Sequence, residues 1–83
     1  MKAVYFAWVR ERIGTADEVL NPPEDVVTVA DLLDWLKARG EGYEAAFANA
    51  ATIRAAIDRA HVKHDAPIAG AREIAFFPPM TGG

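Results

Sequence analysis

The sequence predicts an α+β fold: a small mixed sheet packed on one main helix. Three observations carry this expectation. Residues 2–10, KAVYFAWVR, are dense in aromatic and β-branched residues, as strands are. Residues 28–40, TVADLLDWLKARG, place Val29, Leu32, Leu33 and Leu36 at the i, i+3, i+4, i+7 spacing of an amphipathic helix. Residues 72–77, REIAFF, alternate again before two prolines close the regular structure.

The first strand, Lys2 to Arg10, has two apolar faces, with Ala3, Tyr5, Ala7 and Val9 on one and Val4, Phe6 and Trp8 on the other. Such a strand is covered on both sides, or its second face docks a partner. ERIG is a short turn or helical piece closing at Gly14, ADEVLN a second hairpin strand, and PPED a loop. In the helix, Thr28 is the expected N-cap and Asp31, three residues on, an imperfect capping-box partner. Gly40 suits a left-handed closing residue. YEAAFANA is a second, shorter helix with Tyr43, Phe47 and Ala50 on its apolar side. IRAAID reads as a strand with Ile53, Ala55 and Ile57 inward, and HVKHDAP as a short strand and turn. In REIAFF, Ile74 and Phe76 face inward, and Glu73, Ala75 and Phe77 outward. A terminal hairpin, a crossing helix and further strands match the ubiquitin-like β-grasp, though element order alone does not separate it from other small α+β folds.

Composition removes several function classes. At 83 residues the chain is one domain. Its net charge is -3 and its nine Lys and Arg residues are scattered, which argues against nucleic acid. No apolar run reaches the ~20 residues of a membrane helix. There is no cysteine, hence no disulfide, thiolate nucleophile or thiolate zinc site, and there is no serine. The expectation is a cytoplasmic protein.

Few side chains form a catalytic pattern. GEGYEA, residues 40–45, has the spelling of a dinucleotide loop but follows a helix, where such a loop must follow a strand. His61 and His64, near Asp58 and Asp65, point to opposite faces of a strand and read as solvated surface histidines rather than metal ligands. Asp31 and Asp34 belong to a solvated helix face. Thr81 lacks a neighbouring base. What remains is the ending. Pro78 and Pro79 stop the last strand and keep the chain extended, and residues 78–83 span at most about 20 Å. Gly82 and Gly83 carry no side chain and fit a narrow channel. No charge follows Glu73 except the terminal carboxylate.

With AFFPPMTGG at residues 75–83, the chain resembles the small subunits of molybdopterin synthase. The likeness extends to VYFAWVRERIGT at 4–15, TVADLLDWL at 28–36 and AAIDRAHV at 55–62. PMTGG differs modestly from the commoner PVTGG or PVAGG. The resemblance implies a β-grasp domain over residues 1–77 and a flexible, sulfur-carrying tail over 78–83. It implies a non-catalytic carrier whose Gly83 carboxylate is adenylated by an enzyme related to ubiquitin-activating enzymes, using ATP and magnesium. A sulfur donor system then converts it to a thiocarboxylate. Pro78, Pro79, Met80, Thr81 and Gly82 would thread into the large synthase subunit, in a heterotetramer of two small and two large subunits. There sulfur passes to cyclic pyranopterin monophosphate, forming the dithiolene of molybdopterin in molybdenum cofactor biosynthesis. No metal or cofactor would be held by this chain. Phe6, the residue at 61 and Phe77 would form the docking face, with His61 where relatives usually carry an apolar residue. A carrier for thiazole synthesis, a ubiquitin-like tag and a β-grasp interaction module are the other readings.

Overall fold

In the computed structural model, which describes residues 1–79, the first strand is β1, Lys2–Tyr5. It does not continue to Arg10. Phe6 stays extended, Ala7 turns to φ 54°, and Ala7–Ile13 form helix α1. The cause is tertiary. Val9 and Ile13 are four apart, so a helix turns both toward the core, while Arg12 lies 4.2 Å from the centroid of the Trp8 ring. Gly14 closes α1 at φ 95°, its N–H donating to the Arg10 carbonyl.

Strand β2, Asp17–Val19, returns antiparallel to β1 with Glu18 opposite Ala3. Helix α2, Val29–Lys37, opens on a complete capping box. The Thr28 hydroxyl accepts from the Asp31 N–H, and the Asp31 carboxylate accepts from the Thr28 N–H. The same carboxylate oxygen accepts the Val27 N–H. The N–H groups of Val29 and Ala30, which a helix start leaves without intrahelical partners, donate to the carbonyls of Ala66 and His64. Val29, Leu32, Leu33 and Leu36 are all buried, as their spacing requires.

The far end of α2 departs from expectation. Ala38 is right-handed, and Gly40 is extended at φ 162° rather than left-handed; it opens helix α3, Glu41–Ala46. The glycine that matters is Gly42. A Cβ there would sit 2.6 Å from the Arg12 carbonyl oxygen, so its absence lets α3 approach α1.

A 3₁₀ turn at Ala50–Thr52 leads into β3, Arg54–Ile57, which a two-residue turn joins to β4, Ala60–Val62. Strand β5, Glu73–Phe77, ends where Pro78 begins. The sheet order is β2-β1-β5-β3-β4, with β1 and β5 parallel at the centre and the other pairs antiparallel. This is the mixed β-grasp sheet that the sequence predicts, with α2 as the main helix and α1 and α3 completing its layer. Ala3, Tyr5, Ile74 and Phe76 face the helices and are buried. The Phe76 ring meets the edge of Phe47 at 5.5 Å and stacks on Tyr5 at 6.4 Å.

Two local features yield predictions. Asp58 and Arg59, the turn between β3 and β4, have φ of 47° and 71°. Both sit in the left-handed region that a two-residue hairpin requires and that side chains resist. Asp58 offsets this by accepting the N–H groups of Arg72 and Glu73. Arg59→Gly should therefore raise stability by about 0.5–1 kcal/mol, read as a higher urea midpoint. An unchanged or lower midpoint would mean that the turn stores no such strain. At the start of α2, hydrogen bonds from Val27 and then Thr28 hold the Asp31 carboxyl below its ordinary 3.8. A carboxylate depressed by folding contributes stability above its unfolded pKa and loses it as pH falls through the lower folded value. Asp31→Asn should be less stable than wild type at pH 7, with the gap closing below pH of about 4. Parallel acid limbs in urea titrations would rule out this linkage.

Candidate functional site

The helices cover one face of the sheet and leave the other open. Parallel pairing of β1 with β5 sets Tyr5 beside Phe76, so the next residues, Phe6 and Phe77, both fall on the open face. The Phe6 N–H donates to the Phe76 carbonyl at 3.1 Å, and its side chain is 47% exposed. Strand β3 places Arg54 opposite Phe77 and Ala56 opposite Ala75. Strand β4, on the far side of β3 from β5, places His61 opposite Ala56. The His61 and Phe77 rings meet edge to face, 5.3 Å between centroids and 69° between planes.

Phe6, His61 and Phe77, far apart in the chain, thus share one surface. Between them runs a low row of Val4, Ala75 and Ala56, side by side across three strands. These small residues and Arg54 were not singled out in the sequence. Their outward parity was readable there, but nothing in the order of residues says that β3 lies next to β5.

The exit of the chain lies at the Phe6 and Phe77 end of this face. Pro78 and Pro79 follow Phe77 directly and are half-buried. Met80, Thr81, Gly82 and Gly83, expected to carry and deliver sulfur, lie outside the described residues.

The remaining sequence candidates have structural roles. GEGYEA is the start of α3, preceded by α2 rather than by a strand. His61 is exposed, but His64, expected to be a solvated surface residue, is half-buried with Nε2 2.7 Å from the Ile53 carbonyl oxygen. That contact ties the end of β4 to the approach of β3. Among the described residues no three His, Asp or Glu side chains converge as a metal site requires. Asp34 is exposed, whereas Asp31 belongs to the capping box.

A polar cluster that the sequence did not reveal lies on the helix side. The Glu18 carboxylate accepts the Tyr5 hydroxyl at 2.8 Å and the Tyr43 hydroxyl at 2.7 Å, and pairs with Arg39 at 3.6 Å. Burial, then the bond to Glu18, pushes the Tyr5 phenol far above its ordinary value, and Tyr43 moves the same way. Both phenols therefore stay protonated and act as donors. The cluster joins β1, β2, the end of α2 and α3; it is a clamp, not acid–base machinery. What the open face offers is contact area and charge beside the departing chain.

Comparison with known proteins follows the same lines. The ThiS family model matches residues 3–83. The molybdopterin synthase sulfur carrier subunit of Escherichia coli is 37% identical over 83 residues, covering 100% of this chain and 99% of that protein. The subunit of the same name from Haemophilus influenzae is 28% identical over the same span. A Pyrococcus furiosus structure assigned to molybdopterin converting factor, subunit 1, superposes with a TM-score of 0.74 at 26% identity, covering 95% of each chain. Small archaeal modifier protein 1 of Haloferax volcanii superposes with a TM-score of 0.71 at 24% identity, over 96% of this chain and 97% of that one, a likeness of fold. Among the described residues no helix is long and apolar enough to cross a membrane.

Proposed function

The chain belongs to the ThiS family, and on that premise we propose that it is the sulfur-carrier small subunit of a cytoplasmic molybdopterin synthase, used in molybdenum cofactor biosynthesis. The observation that carries the reading is end-to-end likeness to sulfur carrier subunits in a chain that closes on FFPPMTGG.

The chemistry proposed for Gly83 begins from an unreactive group. A carboxylate is a poor electrophile, because its negative charge repels a nucleophile and oxide is not a leaving group. An activating enzyme remedies this with ATP and magnesium. A Gly83 carboxylate oxygen attacks the α-phosphorus, pyrophosphate leaves, and the resulting acyl-adenylate has AMP as its leaving group. Attack by sulfide at the carbonyl carbon expels AMP and leaves a thiocarboxylate; a persulfide donor gives an acyl disulfide instead, whose S–S bond a thiol then cleaves to the thiocarboxylate and a mixed disulfide. Inside the large subunit that sulfur passes to cyclic pyranopterin monophosphate. The dithiolene holds two sulfurs, so two charged carriers are consumed per product and recharged.

This assignment asks little of the carrier's own side chains. Acid–base and phosphate-binding groups belong to the partners. Pro78 and Pro79 restrict the backbone at the exit, which lowers the cost of ordering the tail. Gly82 and Gly83 pass where no side chain fits. Phe6, His61 and Phe77 seat the partner, and their position at the strand end fixes where Met80, Thr81 and the glycines are delivered. One tail occupies one active site at a time, so the activating enzyme and the large subunit bind in turn.

Two experiments test the reading. Phe77→Ala should weaken binding to the large subunit by about 1–4 kcal/mol, as loss of an interface aromatic does, with a smaller change in melting. Unchanged affinity by calorimetry would remove Phe77 from the interface. Extending the chain by one alanine after Gly83 should leave melting and large-subunit binding near native. The carboxylate is displaced by about 3.5 Å and a methyl group enters the channel. Intact mass after incubation with activating enzyme, ATP and a sulfur source should then show no exchange of oxygen for sulfur. Molybdopterin formation by the extended protein, without trimming back to Gly83, would sink the carrier assignment.

A further inference from the structure

The open face is not electrically uniform, and its asymmetry deepens the docking reading on which this inference rests. On the β4 side of Phe77 stand Arg54, paired with it across β3 and β5, and His61, in edge contact with its ring. Lys63 follows β4 one step beyond the Ala55–Val62 pair, in line with Arg54. All three are exposed, and neither Arg54 nor Lys63 makes an ion pair among the described residues. At the opposite edge, β2 places the exposed Asp17 beside Val4. At the end of the face away from the chain exit, Lys2 and Glu73, of opposite charge, stand opposite each other across β1 and β5.

The whole chain is acidic, at -3, so two unpaired cations beside the apolar centre run against the average. Holding Arg54 and Lys63 together costs a little self-repulsion that no ion pair among the described residues offsets. Apolar contact between Phe6, Phe77 and a partner is strong but weakly directional. A charged flank on one side only supplies direction.

We propose that the edge formed by Arg54, His61 and Lys63 orients and steers the docking of the large synthase subunit by facing carboxylates on that subunit's surface. The occupant follows from position. The edge borders Phe77, and the chain leaves Phe77 directly for the tail, so each partner that receives the tail lies over this edge; the large subunit is the occupant proposed, and a double variant slowed only toward the activating enzyme, with its large-subunit rate unchanged, would overturn that choice. A second copy of the chain fits less well, since a two-fold contact centred near Phe77 would set these cations against their own kind. The expected complement is an apolar patch with Asp or Glu on the side that meets β4. Charges at an interface rim act chiefly on association rate and its salt dependence. The Debye length shrinks from about 30 Å at 0.01 M salt to about 8 Å at 0.15 M, so the effect should fade over that range.

The test measures association of the small chain with the large molybdopterin synthase subunit of the same organism by stopped flow, as salt is raised. The Arg54→Glu, Lys63→Glu double variant should associate about tenfold more slowly than wild type at low salt, with the gap closing at high salt. Lys37→Glu, on α2 behind the sheet, makes a single reversal elsewhere and should stay within about twofold of wild type. Arg54→Gln, a gentler change, should show a smaller loss with the same salt trend, and thermal melts confirm that each variant folds. Association of the double variant at the Lys37→Glu rate, or a loss independent of salt, would overturn the proposal while leaving the docking face in place. If Phe77→Ala also binds as wild type, the docking-face reading falls with it. A wild-type chain that forms a dimer through this face, disrupted by the double variant, would overturn the choice of occupant.

Discussion

The parallel pairing of β1 with β5 is the contact on which the rest of the structure depends. Residues 2–5 lie beside residues 73–76 at the centre of the sheet. Parallel neighbours cannot be joined by a tight turn; the chain must cross over and return. The long crossover here contains all the other elements, and α2 lays its leucine stripe across the inner face. The stack of Tyr5 on Phe76 lies where the two strands meet the helix layer. The same pairing sets Phe6 and Phe77 on one face. Weakening the central pair would therefore disturb both the core and the open face.

The two sides of the sheet differ in character. The inner side holds the aromatic and aliphatic core, sealed by the Glu18 cluster, whose carboxylate gathers two tyrosines and Arg39 from separate elements. Among the described residues no buried side-chain polar atom lacks a partner. The outer side holds small residues, two aromatic rings and a charged edge. A rigid sheet suits a carrier, because the exit of the tail is set by the end of a central strand rather than by a loop. On the proposed reading the reactive group is a main-chain carboxylate, with the chemistry supplied by whichever partner holds the tail.

The histidine at 61 changes the character of the face without changing its architecture. An apolar side chain there would extend the hydrophobic centre toward β4. His61 instead packs its ring edge to face against Phe77, on the side of the face that also carries Arg54. The boundary between apolar contact and charge thus falls at Phe77, beside the departing chain.

By itself the sequence determined the features whose causes lie within a few residues. The leucine spacing and the Thr28–Asp31 box settle α2, since capping and helical facing act over three or four positions. The inward parity of Ile74 and Phe76, and the stop at Pro78, follow from alternation and the missing proline N–H. The ending gave the family likeness, because the proposed chemistry resides in the chain itself. Only the tertiary structure decided where β1 ends, for AWVRERI suits strand alternation and helical spacing alike, and packing against α3 selected the helix. It passed over Gly40 and required Gly42, because the close approach comes from Arg12, thirty positions away. It gave His64 a backbone partner at Ile53. And it gathered Phe6, Arg54, His61 and Phe77 on one face, because strand order is a matter of long-range pairing, which no local pattern encodes.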